Sequence, residues 1–329
     1  MTTTTKTPAS FPEKLINEPT QLANPGKHMT QLGPLQYLLG TWTNQVVDTA
    51  DNSPYSYNLM PLPKSVPTAP GYILKNFKYY EEITFSAISG AAPNRGGDYT
   101  QTANVIFYEQ RVYFAEGPDK DQLVHAENGS WLYLETGKQL ENAYNNKAGT
   151  GPYIPNSNIK SQPISMQIAK QISVPHGNSV LAMGTVESKT GAPTIPNYGK
   201  EAYPAGAFPG DGVDTSLYAT KTDVAGGNPH PSLNGNPNEP IQNGSPTTIT
   251  EYIKLDVDSN VGGSVTNIPF EMQKADVTDY KATYWLQTLA GSSHYNQLAY
   301  TQTIVMKIPI NGEMVDFPHV TCNVLTKKT

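Results

Sequence analysis

Three of the six histidines in the chain stand where a side chain could do chemistry: His125 in "LVHAENGSW", His176 in "SVPHGNSVLAMG" and His319 in "DFPHVTCNV". A neutral imidazole can ligate a metal or a prosthetic group, and near neutral pH it can also move protons. Each of the three falls at or in a stretch that reads as a strand. Three histidines on separate strands of a closed sheet can all point inward and ligate a metal or a large prosthetic group. No HxH or HxxxH pair is present, so a bare zinc site has little support. His125 and Glu127 lie two residues apart, on one face of a strand, where an acid–base dyad can form. The other histidines, His28, His230 and His294, sit in polar or proline-rich loops or at a hairpin tip, and solvent is their expected surrounding.

Other catalytic templates are missing. There is no GxSxG, and "NRGGD" around Arg95 is not a phosphate-cradling loop before a helix. Glu81 and Glu82 point to opposite faces of a strand and cannot act as a pair from one side. The single cysteine, Cys322, excludes an internal disulfide and a thiolate-rich metal site, and its strand setting suits a small filler better than a nucleophile.

The elements that must position these residues are strands. Glycine (27), proline (28) and tyrosine (20) are abundant and only 15% of residues are charged, a mix of turns and pleated surface. Leu35, Leu38 and Leu39 have helical spacing behind Pro34, so a short helix leads into a first strand at Trp42. The segment 72–89 alternates as one long strand or two bent ones. "YTQTANVIFYEQRVYFAEG" reads as a hairpin turning near Glu109 and Gln110. With the later runs the count is about ten strands, and the expected fold is an all-β, antiparallel, up-and-down barrel with long loops. Residues 1–30 read as an irregular arm and 31–329 as one barrel domain. A Pro/Gly/Asn-rich insert interrupts it at 187–250.

His319 poses a problem of geometry. Strict alternation places Thr321 and Asn323 on its face and Val320, Cys322 and Val324 on the other, so an unbroken pleat turns His319 away from an apolar interior. A bulge near Pro318, or a polar wall inside the barrel, reverses that.

Acidic residues (28) outnumber Lys and Arg (22), net charge is -6, and no basic run with interleaved aromatics occurs, which argues against nucleic acid as a partner. No segment has the apolar length of a signal peptide or a membrane span, so the expectation is a cytoplasmic protein without a membrane partner, and a homodimer is compatible with it.

The order "PLQYLLGTW", "FKYYEEITFS", "VHAENGSW" and "PHVTCNVLTKK" resembles nitrobindin and the related THAP4-type haem-binding β-barrel domains, which are similar in fold to fatty-acid-binding proteins. The matching positions are Gly40, Thr41 and Trp42; Tyr79 or Tyr80 with Glu81, Glu82 and Phe85; His125, Glu127 and Gly129; and His319. The resemblance implies haem b with His319 as the iron ligand, His125 on the distal side, Trp42 in the cofactor-binding set, and His125 and His176 as catalytic candidates. It further implies nitric oxide, peroxynitrite or peroxide as the small ligand, with isomerase-like or peroxidase-like chemistry. This chain is about twice as long as the typical domain, and it offers Lys327 and Lys328 where the family commonly ends on an arginine pair. Two further readings stand beside it: a haem-free carrier of a small apolar ligand, and a cofactor-free enzyme built on His125 and Glu127.

Overall fold

A computed structural model of the chain describes residues 32–44, 56–63, 72–93, 101–115, 117–136, 166–196, 248–310 and 313–328. The N-terminal arm, Arg95, His28, His230 and most of the insert lie outside the described residues. Among the described residues eleven strands follow one another: β1 (Gly40–Thr43), β2 (Ser56–Pro63), β3 (Tyr72–Pro93), β4 (Gln101–Phe114), β5 (Leu123–Thr136), β6 (Ile168–Val174), β7 (Asn178–Thr190), β8 (Ile249–Asn267), β9 (Asp276–Leu289), β10 (Gln297–Ile310) and β11 (Glu313–Lys327). Each pairs antiparallel with its sequence neighbour from β2 to β11. The short β1 closes the ring, because Trp42 is opposite Lys327 of β11 on one side and Ile83 of β3 on the other. Ten strands therefore form a closed barrel, and β2 extends the sheet beyond it by pairing with the first part of β3.

Two sequence expectations need correction. β4 runs unbroken through Glu109 and Gln110, paired along its length with β3 and β5. The alternation Ile106, Tyr108, Gln110, Val112 continues across those two polar residues, so nothing in the pleat forces a turn. The chain reverses instead at 117–122, where Asp121 has φ 68°. Likewise Glu187–Thr190 is not insert: these residues extend β7 and pair with Lys254, Ile253, Tyr252 and Glu251 of β8. β3 is a single strand whose register with β4 shifts between Ala87 and Ala91.

The core fills the ring. Tyr79, Glu81, Ile83 and Phe85 of β3 share the inward face, as do Tyr280, Ala282, Tyr284 and Leu286 of β9, and all are buried. One end is plugged by a 3₁₀ turn, Gly33–Leu38, whose Leu35 and Leu38 are fully buried against the barrel. Gly33 sits at φ +53° with the Tyr133 ring where a Cβ would be, so only glycine lets the turn enter that close. Trp42 completes the plug: its indole N–H donates to the Leu38 carbonyl at 2.6 Å, and the Lys327 ammonium lies 5.3 Å from its ring centre. Lys327 thus caps the tryptophan with a cation at the end of the last strand. The β4–β5, β6–β7, β8–β9 and β10–β11 connections gather at the opposite end; a short helix, α1 (Pro269–Lys274), joins β8 to β9 there.

Candidate ligand site inside the barrel

β11 carries His319 inward. Its register with β10 is continuous from Glu313 to Thr326, with Pro318 opposite Val305, so no bulge on β11 turns the pleat. The inward face is Phe317, His319, Thr321, Asn323 and Leu325, all buried. The opposite face, with Cys322 and Val324, packs outside the ring against Tyr252, Trp285, Ala299 and Ile195. The expectation that an unbroken pleat would turn His319 away is overturned because the barrel is covered by apolar side chains outside this wall and is polar inside it. Burial pushes the Cys322 thiol well above its ordinary range, in keeping with a packing role. His319 is 7% exposed, its Nε2 lies 3.3 Å from the Thr321 hydroxyl, and Ile304 is its cross-strand partner.

The polar wall centres on Glu81. Its Oε1 accepts from the Tyr300 hydroxyl at 2.7 Å and from Asn323 Nδ2 at 2.8 Å, and its Oε2 accepts from Gln110 Nε2 at 2.5 Å. Asn44 locks the arrangement from β1's end, accepting from the Glu81 backbone N–H and donating to Asn323 Oδ1. Burial pushes the Glu81 carboxyl up to about 7; the three donors and the distant Glu127 charge modify that rise without cancelling it. Strands β3, β4, β10 and β11 thus meet at one carboxyl group.

Across the interior a second cluster forms around Lys170 of β6, a lysine that is fully buried. Its ammonium donates to the hydroxyls of Tyr280 (2.8 Å) and Tyr284 (3.0 Å) and stands 3.6 Å from Glu127 Oε1. Aromatic faces of Tyr108, Trp131, Tyr280 and Tyr284 surround it at 5.0–5.8 Å. Tyr108 donates to Glu127 at 2.9 Å, and Tyr280 donates to Gln302 at 3.3 Å. Burial alone would raise the Glu127 carboxyl, but Lys170 above all, then His125 and Tyr108, hold it at about 2. Burial pulls the Lys170 amine down, with Glu127 opposing. Stacking of Tyr284 on Tyr300, ring centres 5.1 Å apart, joins the two clusters into a polar layer across the barrel. The Trp131 indole N–H, edge-on to Tyr284, has no hydrogen-bond acceptor among the described residues.

The histidines lie on the side of this layer away from the Gly33–Leu38 plug. His125 Nε2 is 3.8 Å from Glu127 Oε2, so the two residues of the dyad face each other. His176, in the turn between β6 and β7, is exposed, and its ring centre is 5.6 Å from that of His125. The structure brings His125, His176 and Glu127 together. His319 is on a different wall: β5 and β11 are four strands apart one way round the ring and six the other. Trp42 is not brought to His319. Its partner Lys327 is eight residues along β11 from His319, about 26 Å of extended strand. His294 is exposed in the β9–β10 turn, as its loop setting suggests. No group of three or more His, Cys, Asp or Glu side chains is placed to hold a bare metal ion among the described residues.

Sequence reasoning missed Glu81 and Lys170 as site residues. The signal was there in both cases. Glu81 interrupts the apolar alternation Tyr79, Ile83, Phe85, and Lys170 interrupts Ile168 and Ile172, and a charge in the middle of a buried face must be paired inside the fold.

No known protein-family profile matches the chain. No curated protein is similar to it at a level that would mark a relative. Among solved structures the chain is similar to the crystal structure of Rv2717c from M. tuberculosis, at 13% identity and a TM-score of 0.38, over 92% of this chain and 98% of that one. It is a distant neighbour and assigns no family. No helix among the described residues is long and apolar enough to cross a membrane.

Proposed function

We propose that the chain is a small-molecule-binding β-barrel that holds haem b through His319. The observation that carries this reading is the inward, buried imidazole of His319, set toward the end of the barrel opposite the Gly33–Leu38 plug and flanked on its own face by Phe317. A single imidazole donor beside Phe317, with no group of three or more metal-ligating side chains among the described residues, would suit a haem iron better than a bare ion. When bound, haem would be held by His319 and would supply an iron able to react with nitric oxide, peroxynitrite or a peroxide.

The protein's own residues supply the rest. His125, held by the Glu127 carboxylate and reaching solvent beside His176, can take up or give a proton at Nε2. Glu127 orients that imidazole and is itself kept ionised by Lys170. The layer formed by Tyr280, Tyr284, Tyr300 and Glu81 would lie on the plug side of a ligand held by His319, its polar groups bonded within the two clusters around Lys170 and Glu81.

The test is the absorbance spectrum of the purified or haem-reconstituted protein. A Soret band that is lost or shifted in His319→Ala and kept in His125→Ala is the expected result. Haem bound with an unchanged spectrum in His319→Ala removes His319 as the ligand. Co-purification of a lipid-like compound with no uptake of haem would favour the carrier. Activity without either, abolished in His125→Ala, would favour the cofactor-free dyad.

A further inference from the structure

A second concave site lies on the outside of the barrel. Neighbouring strands β3 to β6 present two rungs of outward residues there. Cross-strand register aligns Thr84, Glu109, Asn128 and Ser173 in one rung and Ser86, Phe107, Ser130 and Gln171 in the next. These eight line a depression of about 530 Å³, within the size range of small-ligand pockets. Between the rungs run Phe85, Tyr108, Gly129 and Ile172, whose side chains point inward or are absent, so backbone forms the floor. Gly129 is required at its centre: a Cβ there would lie 1.9 Å from the Gln171 carbonyl oxygen.

The chemistry of the lining is specific. Seven of the eight side chains are hydroxyls, amides or a carboxylate, and the eighth, Phe107, is 51% exposed in the middle of them. The solvent-facing ring of Phe107 offers an apolar face on which a ligand can pack. Among the described residues no Lys or Arg lines the depression. Lys170, adjacent to Gln171 in sequence, points into the barrel, and Arg111 is committed to Glu109, donating from Nε at 2.5 Å. Ser130 donates to Gln171 Oε1 at 2.6 Å, which leaves the Gln171 N–H groups as the donors of that side chain. A site with one bare aromatic face, paired donors and acceptors from amides and hydroxyls, and no cation is unsuited to anions and to wholly apolar compounds. It matches a neutral sugar, whose C–H face packs on an aromatic ring while its vicinal hydroxyls bond amides and hydroxyls in pairs.

We infer that this outer depression is a binding site for a neutral saccharide, with Phe107 as the stacking platform and Asn128, Gln171 and Glu109 as the hydroxyl-reading groups. It is separate from the barrel interior and does not rest on the haem reading.

The experiment is saturation-transfer NMR and calorimetric titration of the full-length protein with glucose, galactose, mannose, xylose, cellobiose and maltose. Phe107→Ala and Asn128→Ala are measured beside the wild type. Both residues are solvent-facing, and an unchanged thermal midpoint shows that each variant folds. The expected result is binding of at least one of these sugars, weakened about fivefold or more by Phe107→Ala and also by Asn128→Ala. If none of the six binds, or if binding is the same in both variants, the inference is overturned.

Discussion

Replacing Glu81 by glutamine isolates the cost of one buried carboxyl. Glu81 is fully enclosed and its carboxyl is raised from 4.5 to about 7, with burial as the leading cause. Below pH 4.5 the group is protonated whether the chain is folded or not, and burial then carries no ionisation cost. As pH rises toward 7 the unfolded chain releases its proton while the folded chain keeps it, so stability falls; above 7 both forms are ionised and the full cost is present. A carboxyl displaced this far corresponds to about 3 kcal/mol between about pH 4.5 and about pH 8.5. The glutamine side chain has no proton to release, and its amide oxygen still accepts from Tyr300 and Asn323. Its NH₂ would face that of Gln110, which can turn its amide to accept. Glu81→Gln therefore gains on the wild type as pH rises, by about 3 kcal/mol across that range, whatever its offset at acid pH. Urea unfolding of both proteins at the two pH values reads this double difference, and other titrating groups cancel. A gap that stays constant with pH would refute the reasoning, because Glu81 would then titrate like an exposed carboxylate.

The buried ion pair behaves in the opposite sense. Lys170→Met leaves the Glu127 carboxylate buried without its main partner and should cost about 3–5 kcal/mol at neutral pH, with Glu127→Gln in the same chain restoring part of it, as read by denaturant melts. In the wild type the stability tied to Glu127 is present above 4.5 and is lost as pH falls toward about 2; Glu127→Gln should flatten that acid limb. Gly129→Ala should destabilise by about 1–3 kcal/mol, because the methyl group must displace the β6 carbonyl that a Cβ would strike. Loss of amide-exchange protection in β5 and β6 ahead of β9 and β10 would locate the damage. An unaffected Gly129→Ala would mean that the two strands can separate at no cost.

The all-β class, the run of about ten barrel strands, the helical turn before Trp42 and the strand positions of His125 and His319 follow from local pattern. Strand pairing rewards alternation of apolar and β-branched residues, and proline and glycine mark the ends. The same locality produced the two errors. Glu109 and Gln110 read as a turn because they are polar and adjacent, whereas the pleat sends one outward and the other in to Glu81. The Pro-rich segment hid the last residues of β7, which are strand only because β8 returns to pair with them.

Which face of β11 is inside could not be read from β11. Its polar face is the inner one because Glu81, Gln110 and Tyr300, distant in sequence, supply hydrogen bonds there, while Trp285 and Tyr252 cover the apolar face from outside. The partners of Glu81 and Lys170 are likewise products of barrel closure, since a charge can be buried only where several strands bring donors and counter-charges to it. Sequence alone therefore determined what kind of elements this chain forms and where most of its strands lie. Tertiary structure decided which side of each strand is interior, because that depends on what the other strands bring to the same space.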